Sequence, residues 1–188
     1  MKTLRNIFGV HFTLLTLCSV IFPFSIWAIS RLFPSAAVGF PIVKDGKTIG
    51  YENVGQKFTK DKYFWSRPSA SDYNAAATSA SNMGPTNPDY LKAVKARIDI
   101  ILVYNPGVKV SDIPVEMVTT SGSGLDPHIS PQGALIQVAR ISRIRQIHED
   151  RLRALVNEYT EKPLLGLFGP ERVNVLKINL ALDSIPEN

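Results

Sequence analysis

The N-terminal part of the chain is a long apolar stretch with a basic start. Lys2 and Arg5 precede it, and no Asp, Glu, Lys or Arg occurs between Ile7 and Ile29. At about 1.5 Å per helical residue, this stretch is long enough to cross a hydrocarbon core of roughly 30 Å. The pattern therefore predicts one membrane-spanning helix within residues 1–30.

A secretory signal peptide is the alternative interpretation of the same stretch. Small residues suited to cleavage occur around Ala28 and from Ser35 to Ala37. The apolar run is longer than the roughly 7–15 residues of a signal-peptide core, which favours a retained anchor. A mature N-terminus near Ala36 would instead indicate a released binding domain.

Charges on the two sides of the apolar stretch predict its orientation only weakly, because basic residues lie before it and also at Arg31, Lys44 and Lys47. A short basic N-terminus on the cytoplasmic side is the favoured arrangement. It predicts a single-pass protein of the cell (inner) membrane with an extracytoplasmic soluble domain.

Three helices are predicted after the anchor. Asn87-Pro88 is an N-cap followed by proline, and a stripe of apolar residues leads from there to Asn105. Ser130-Pro131 gives the same start signal for a second helix, in which Gln137 lies at the edge of the apolar face. The third helix is indicated by apolar positions at helical spacing: Leu152, Leu155, Val156 and Tyr159.

Two segments have strand-like character, residues 47–56 and residues 172–182. Few strands and about three helices predict the α+β class with a small sheet. The expected organisation is a transmembrane anchor over residues 1–30, a linker over 31–47 that contains Pro34, Gly39 and Pro41, and one soluble α+β domain over 48–188.

Two loops are the least generic parts of the domain. Residues 66–88 are small and polar without periodicity, and loops of that length tend to be functional. Residues 118–131 read VTTSGSGLDPHISP. This second loop is either a rigid connector in which Asp126 and the serines bind local amides, or a nest of amides that holds an anion ahead of a helix. A Walker A loop is excluded because Leu125-Asp126 follows Gly124.

Composition narrows the functional class further. The net charge is +5, but residues 31–188 hold 19 basic and 16 acidic side chains, a balance that does not suit a nucleic-acid partner. Cys18 is the only cysteine, so a disulfide framework is excluded. The basic residues between positions 140 and 153 are predicted to form a solvated helical face with ion pairs, in preference to a phosphate or lipid site: Arg140, Arg143, Arg145, Arg151 and Arg153.

Enzyme and metal sites are poorly supported by the residues. A hydrolase would use Ser121 or Ser123 with His128 and Asp126, but Ser-Gly-Ser-Gly is not a nucleophile elbow. The three histidines are scattered along the chain, so no metal site is predicted. We therefore expect no catalytic residue and no metal ion in this chain.

Several long segments, in this order, resemble one family. YFWSRPSASDYNAAATSASNMGPTNP, VTTSGSGLDPHISP, a Gln-Val-Ala-Arg helix and RVNVLKINLALD follow a short N-terminal anchor. Together they are similar to the C subunit of the Kdp-type potassium-transporting P-type ATPase over almost the whole chain.

The resemblance implies a non-catalytic accessory subunit of an ATP-driven potassium uptake complex, in contact with membrane lipid. Its expected partners are an ATP-hydrolysing subunit, a potassium-binding channel-like subunit and a small membrane peptide. The family's C subunit is described as a catalytic chaperone that assists assembly and raises the ATP affinity of the hydrolysing subunit. ATP is thus a cofactor of the complex, and the resemblance assigns nucleotide binding to Ser121, Gly122, Ser123, Gly124, Leu125, Asp126 and Gln137.

The predicted orientation gives an alternative role. A domain outside the cytoplasm would act as a structural cap on the channel-like subunit, with the two loops as contacts and no direct contact with the nucleotide.

Overall fold

The computed structural model describes residues 2–185. The chain divides into two units, residues 1–41 and residues 42–188, and each is described by itself.

The first unit is dominated by an apolar helix. It consists of α1 (Lys2–Thr16), a π-helical turn (Leu17–Ile21) and α2 (Phe22–Ser30), with a mean hydropathy of 2.0 and no buried residue. A short helix, α3 (Pro34–Ala37), follows. The helix has the length and composition of a membrane span, as its sequence predicts.

Pro23 explains the π-helical turn. Proline has no N–H to donate and its ring clashes with the carbonyl of the preceding turn. The turn immediately before it widens, so that Phe22 N donates to Leu17 O, five residues back. The few polar side chains of this helix bind its own backbone: Thr13 Oγ1 donates to Gly9 O at 2.9 Å and Ser25 Oγ donates to Ile21 O at 2.7 Å. Such bonds suit an environment without water.

The second unit contains two small sheets and five α-helices among the residues that the structure describes. The strands are β1 (Pro41–Lys44), β2 (Lys47–Tyr51), β3 (His128–Ile129), β4 (Thr160–Glu161) and β5 (Arg172–Asn174). The helices are α4 (Pro88–Tyr104), α5 (Pro131–Leu135), α6 (Val138–Arg145), α7 (Glu149–Glu158) and α8 (Val175–Asp183). Short 3-10 turns lie at Val110–Asp112 and Val115–Met117. The α+β class is confirmed.

The first sheet pairs β1 with β2, and the second has the strand order β3-β5-β4. In the second sheet Ile129 and Thr160 both face Val173, on opposite sides of the central strand. In the first sheet, β2 ends at Tyr51, so the strand predicted over residues 47–56 is shorter than expected.

The predicted helix starts at Asn87 and Ser130 are confirmed. Asn87 Oδ1 accepts from Asp89 N at 2.9 Å and from Tyr90 N at 3.3 Å. Ser130 Oγ accepts from Gly133 N at 3.0 Å. Both caps satisfy amides that have no partner within the helix.

The predicted second helix is split into α5 and α6. The side chain of Gln137 donates to Gly133 O at 2.9 Å, which is the carbonyl that its own backbone N–H would reach in a continuous helix. Gln137 N instead donates to Ala134 O at 3.0 Å. This tighter turn carries the Gln137 side chain into the interior.

The prediction of a strand over residues 172–182 was wrong beyond Asn174. Asn174 caps α8, because its Oδ1 accepts from Lys177 N at 3.1 Å. The buried residues of α8 then follow helical spacing, since Val175, Ile178 and Leu182 lie on one face. The β-branched residues at the start of this segment favour a strand locally, but burial of that face decides the outcome.

The core of the second unit joins α5, α6, α7 and α8 with the three-stranded sheet and Phe64. Asn179 of α8 holds Phe64 by both backbone groups: Phe64 N donates to Asn179 Oδ1 and Asn179 Nδ2 donates to Phe64 O, each at 2.9 Å. Phe64 is thus fully buried, whereas its neighbours Tyr63 and Trp65 are half-buried.

Candidate functional site

The glycine–serine loop, residues 121–126, is a turn stabilised by its own serines. Ser121 Oγ accepts from Gly124 N at 2.8 Å, and Ser123 Oγ accepts from Leu125 N at 3.1 Å. Gly124 has φ +71°, a left-handed conformation that strains any residue with a Cβ. The two serine hydroxyls therefore have local structural partners, as the connector interpretation predicts.

The long loop of residues 66–88 packs onto the glycine–serine loop. Ser69 Oγ donates to Gly124 O at 2.6 Å, and Ser79 N donates to Ser123 O at 3.1 Å. From another side, Gly55 N donates to Leu125 O at 2.6 Å. Carbonyls of three successive loop residues are thus bound by distant segments, and the two unusual loops of the sequence form one structure.

Asp126 forms the charged end of this structure. Its Oδ2 accepts from Arg67 Nη1 at 2.6 Å, its Oδ1 accepts from His128 N at 3.0 Å, and His128 Nδ1 lies 3.3 Å from the same Oδ1. Burial alone would raise the pKa of Asp126, but the hydrogen bonds from His128 and Arg67 outweigh it and lower the pKa to about 2.

We expect the Asp126 contacts to stabilise the fold above about pH 4 and to be lost on acidification. The pKa falls from 3.8 in the unfolded chain to about 2 in the fold, so the contribution is complete above the first value and is lost as the pH falls through the second. Asp126→Asn should lower the free energy of unfolding at pH 6 by about 1–2 kcal/mol, allowing for partial exposure. Denaturant unfolding between pH 6 and pH 2 measures this difference, which should shrink below pH 4.

Asp99→Asn is the matched control. Asp99 pairs with Lys95 at 2.9 Å on an exposed helix surface, where an ion pair is worth less than about 1 kcal/mol. A constant difference between wild type and Asp126→Asn across the whole pH range would contradict the assignment.

His128 lies between two carboxylates. Besides Asp126 at Nδ1, its Nε2 lies 3.9 Å from Glu161 Oε2. Both ring nitrogens thus face carboxylates, whereas Ser121 and Ser123 bind loop amides. Beside this group is a groove of about 390 Å³ with charges of both signs, lined by Arg67, Glu116, Asp126, His128, Ile129, Ser130, Pro170, Glu171 and Arg172.

Gln137 has a different environment from the glycine–serine loop. It is 1% exposed, and its Oε1 accepts from Trp65 N at 2.7 Å and from Arg140 Nη2 at 2.6 Å. Its Nε2 donates to Gly133 O. The seven residues that the resemblance ties to nucleotide binding therefore fall into two groups. Six form the glycine–serine loop, and the seventh is a buried glutamine whose polar partners are Trp65, Gly133 and Arg140.

Arg140 is the centre of this buried polar network. It is 1% exposed; Nε donates to Asn105 Oδ1 at 3.1 Å, and Nη1 donates to Tyr63 O at 3.1 Å and to Asp61 O. Its guanidinium also lies 4.2 Å from the centre of the Trp65 ring. Burial lowers the pKa of Arg140 to about 10, which leaves it protonated at neutral pH.

The prediction of a solvated basic face was therefore wrong for two of its five arginines. Arg140 and Arg145 are buried, and Arg145 Nη2 pairs with Asp183 while Nε donates to Lys62 O at 3.0 Å. Arg143, Arg151 and Arg153 are exposed, as expected. The position of each arginine along the helix could have distinguished the buried arginines from the exposed ones, because Arg140 and Arg145 lie on the inner face of α6 with its apolar residues.

A second groove, of about 350 Å³, lies beside α4. It is mainly apolar and is lined by Phe58, Thr59, Asp61, Trp65, Ser66, Pro68, Tyr73, Arg97, Ile100, Ile101, Tyr104 and Met117. None of the seven predicted nucleotide-binding residues lines it. Within residues 2–185, no group of three or more His, Cys, Asp or Glu side chains is placed to hold a metal ion.

These features define a class of protein: a helix able to span a membrane, followed by an α+β unit with ordered loops and a buried polar network. A sequence profile of the family described as "K+-transporting ATPase, c chain" matches residues 4–184. The chain belongs to this family, the KdpC subunits of potassium-transporting ATPases.

Individual relatives are similar over nearly their full length. The "Potassium-transporting ATPase KdpC subunit" of Flavobacterium johnsoniae is 50% identical, with 98% of this chain and 100% of the relative covered. The protein of the same name from Flavobacterium psychrophilum is 46% identical over the same shares. That from Bacteroides thetaiotaomicron is 45% identical, with 97% of this chain and 98% of the relative covered.

Proposed function

We propose that this chain is a non-catalytic accessory subunit of a potassium-transporting ATPase and acts through assembly. Its helix of residues 2–30 anchors it in the cell membrane with the N-terminus in the cytoplasm. The second unit lies outside the cytoplasm and caps the channel-like subunit. The ATP-hydrolysing subunit and the small membrane peptide complete the assembly.

The burial of Gln137 is the observation that supports a role in assembly without direct contact with the nucleotide. A side chain that contacts a nucleotide needs a free donor or acceptor that the ligand can reach. The oxygen of Gln137 already accepts two hydrogen bonds and its nitrogen donates one, all inside the core. Breaking these bonds would leave buried polar groups unpaired at a cost of about 1–3 kcal/mol each.

The glycine–serine loop supports the same conclusion. Its two serine hydroxyls accept from amides of the loop itself, and three of its carbonyls bind other parts of the second unit. An effect of this subunit on ATP affinity would then be indirect: the chain orders the assembly, and the ATP-hydrolysing subunit binds the nucleotide. Substitutions at Ser121, Gly124, Asp126 or Gln137, whose contacts hold the loop or the core, would weaken the subunit's own fold and its assembly.

We expect Gln137→Ala to reduce the yield of assembled complex without changing the KM for ATP of the complex that does assemble. The substitution leaves Trp65 N, Arg140 Nη2 and Gly133 O without this partner, so we expect a loss of about 2–3 kcal/mol in the free energy of unfolding. The measurements are thermal unfolding of the chain, subunit recovery by affinity purification, and ATPase activity against ATP concentration.

Two variants sharpen the comparison. Gln132→Ala removes an exposed glutamine whose Nε2 lies 3.4 Å from Asp112 O, and it should leave stability, assembly and KM unchanged. Gln137→Glu keeps the acceptor for Trp65 and Arg140 and should be milder than alanine. If Gln137→Ala assembled and melted normally but raised the KM for ATP several-fold, the indirect role would be refuted in favour of nucleotide contact.

A further inference from the structure

The connection between β4 and β5 exposes a concentrated set of large apolar side chains. We name residues 163–170, Pro-Leu-Leu-Gly-Leu-Phe-Gly-Pro, the apolar hairpin. Leu164, Leu165, Leu167 and Phe168 are between 63% and 81% exposed. Single exposed leucines are ordinary on protein surfaces, but a contiguous apolar patch indicates an interaction site.

The backbone of the apolar hairpin binds itself. Leu164 N donates to Phe168 O at 2.9 Å, and Phe168 N donates to Leu164 O at 3.0 Å. Within the tip, Gly166 N donates to Pro163 O at 2.9 Å and Leu167 N donates to Leu164 O at 3.1 Å. The prolines at both ends have no N–H. The segment is therefore a closed turn in which four of the six amides bind carbonyls of the same segment.

The base of the hairpin is fixed in the sheet. Glu161 of β4 faces Arg172 of β5, and Arg172 Nε lies 2.9 Å from Glu161 Oε2. The pKa of Glu161 is lowered, because hydrogen bonding to Arg172 and the charge of Lys177 exceed the effect of burial. The apolar side chains thus project from a rigid support.

An apolar phase without hydrogen-bonding groups suits such a surface better than a polar one. Irregular backbone is costly in lipid because its polar groups lose water, and here most of those amides are already bonded. Protein interfaces, in contrast, carry about one hydrogen bond per 100–200 Å². The side chains of residues 163–170 offer no donor or acceptor.

A bilayer is within reach of every copy of this chain. The helix of residues 2–30 has the length and composition to span one, and the connection of residues 31–41 extends at most ~40 Å. Lys162, exposed at the start of the hairpin, supplies a cation suited to lipid headgroups. We propose that the apolar hairpin inserts Leu164, Leu165, Leu167 and Phe168 into the interface of the membrane that holds the chain's own anchor.

The test places a polarity-sensitive dye at the tip of the hairpin. In the full-length chain with Cys18→Ser, Leu165→Cys is labelled with the dye and reconstituted in phosphatidylcholine vesicles. The emission of the dye should shift to the blue, and spin-labelled lipids should quench it. Aqueous iodide should quench it several-fold less than it quenches the same dye on the unfolded chain. The matched control is Val115→Cys, another exposed apolar position at 69%, where iodide should quench and spin-labelled lipid should not.

Each other outcome overturns the proposal. Equal iodide quenching at positions 165 and 115 would show that the hairpin stays in water. If the dye were exposed to iodide in the chain alone, and protected without lipid quenching in a second sample that contains the companion subunits, a protein surface and not lipid would cover the hairpin. The result does not depend on the proposed cap function, since lipid contact is measured on this chain alone.

Discussion

Arg140→Ala is expected to destabilise the second unit by about 3–5 kcal/mol, the range for removing one partner from a buried charged network. The substitution withdraws the donor from four acceptors at once: Asp61 O, Tyr63 O, Asn105 Oδ1 and Gln137 Oε1. It also leaves a cavity beside the Trp65 ring. Since domains are stable by only about 5–15 kcal/mol, a loss of this size removes a large part of the total.

The geometry predicts that no other side chain can make all the bonds of Arg140. Its donors lie in one plane and reach three separate segments, the turn at residues 61–63, the end of α4 at Asn105, and Gln137 at the start of α6. The ammonium group of a lysine is a compact charge and cannot donate hydrogen bonds to all these acceptors in one plane. We therefore expect Arg140→Lys to lose at least half of the stability that alanine loses.

Denaturant unfolding of the full-length chain in detergent micelles measures these losses, with Trp65 fluorescence as the signal in a Trp27→Phe background. Arg143→Ala is the control, because Arg143 is an exposed arginine of the same helix and should change the free energy of unfolding by less than about 0.5 kcal/mol. Equal effects at positions 140 and 143 would mean that the buried network contributes nothing.

Local signals in the sequence predict the elements that local chemistry decides. Asn87 and Ser130 cap helices because their side chains bind amides two or three residues on, and such short-range bonds can be read from residue type. The apolar run from Ile7 to Ile29 likewise predicts a spanning helix from its length alone. These predictions needed no knowledge of distant residues.

The C-terminal helix shows where that reasoning stops. Residues 172–182 have a strand-like sequence, but only Arg172–Asn174 forms a strand. The helix begins where Asn174 caps it, and its buried face packs in the common core. An asparagine followed by apolar residues at positions i+1, i+4 and i+8 was the available signal, weaker than the β-branched run that competed with it.

The candidate site likewise has features that the local sequence predicts and features that depend on distant residues. That residues 121–126 form a tight turn follows from Ser, Gly and Asp chemistry. The binding of its carbonyls by Gly55, Ser69 and Ser79 could not be predicted in this way, because these contacts join segments far apart in the chain. Gln137 was placed at the edge of an apolar face, yet the turn between α5 and α6 points it inward. Only the position of residues 61–65 against α6 explains why a glutamine and an arginine are buried together.

Gly124→Ala is expected to destabilise the junction of the two loops by about 2–4 kcal/mol, combining a left-handed backbone with overpacking. A Cβ at this position would lie 2.5 Å from Ser71 Oγ and 2.8 Å from Ser79 O. The serine side chain can rotate away, but the Ser79 carbonyl belongs to the backbone, so residues 66–88 must move. The Ser79 N to Ser123 O bond should then open, and hydrogen exchange at the Ser79 amide should accelerate at least ten-fold, about 1.4 kcal/mol.

Gly122→Ala is the matched control two residues away. A Cβ there meets nothing within 4 Å, so stability should change by less than about 0.5 kcal/mol and Ser79 exchange should stay as in the wild type. The pair also separates two explanations of any effect on ATP. If both glycines served a nucleotide, both alanines would raise the KM for ATP, whereas a structural junction is sensitive at Gly124 alone. Impaired ATP use by Gly122→Ala with normal exchange at Ser79 would refute the structural interpretation of the loop.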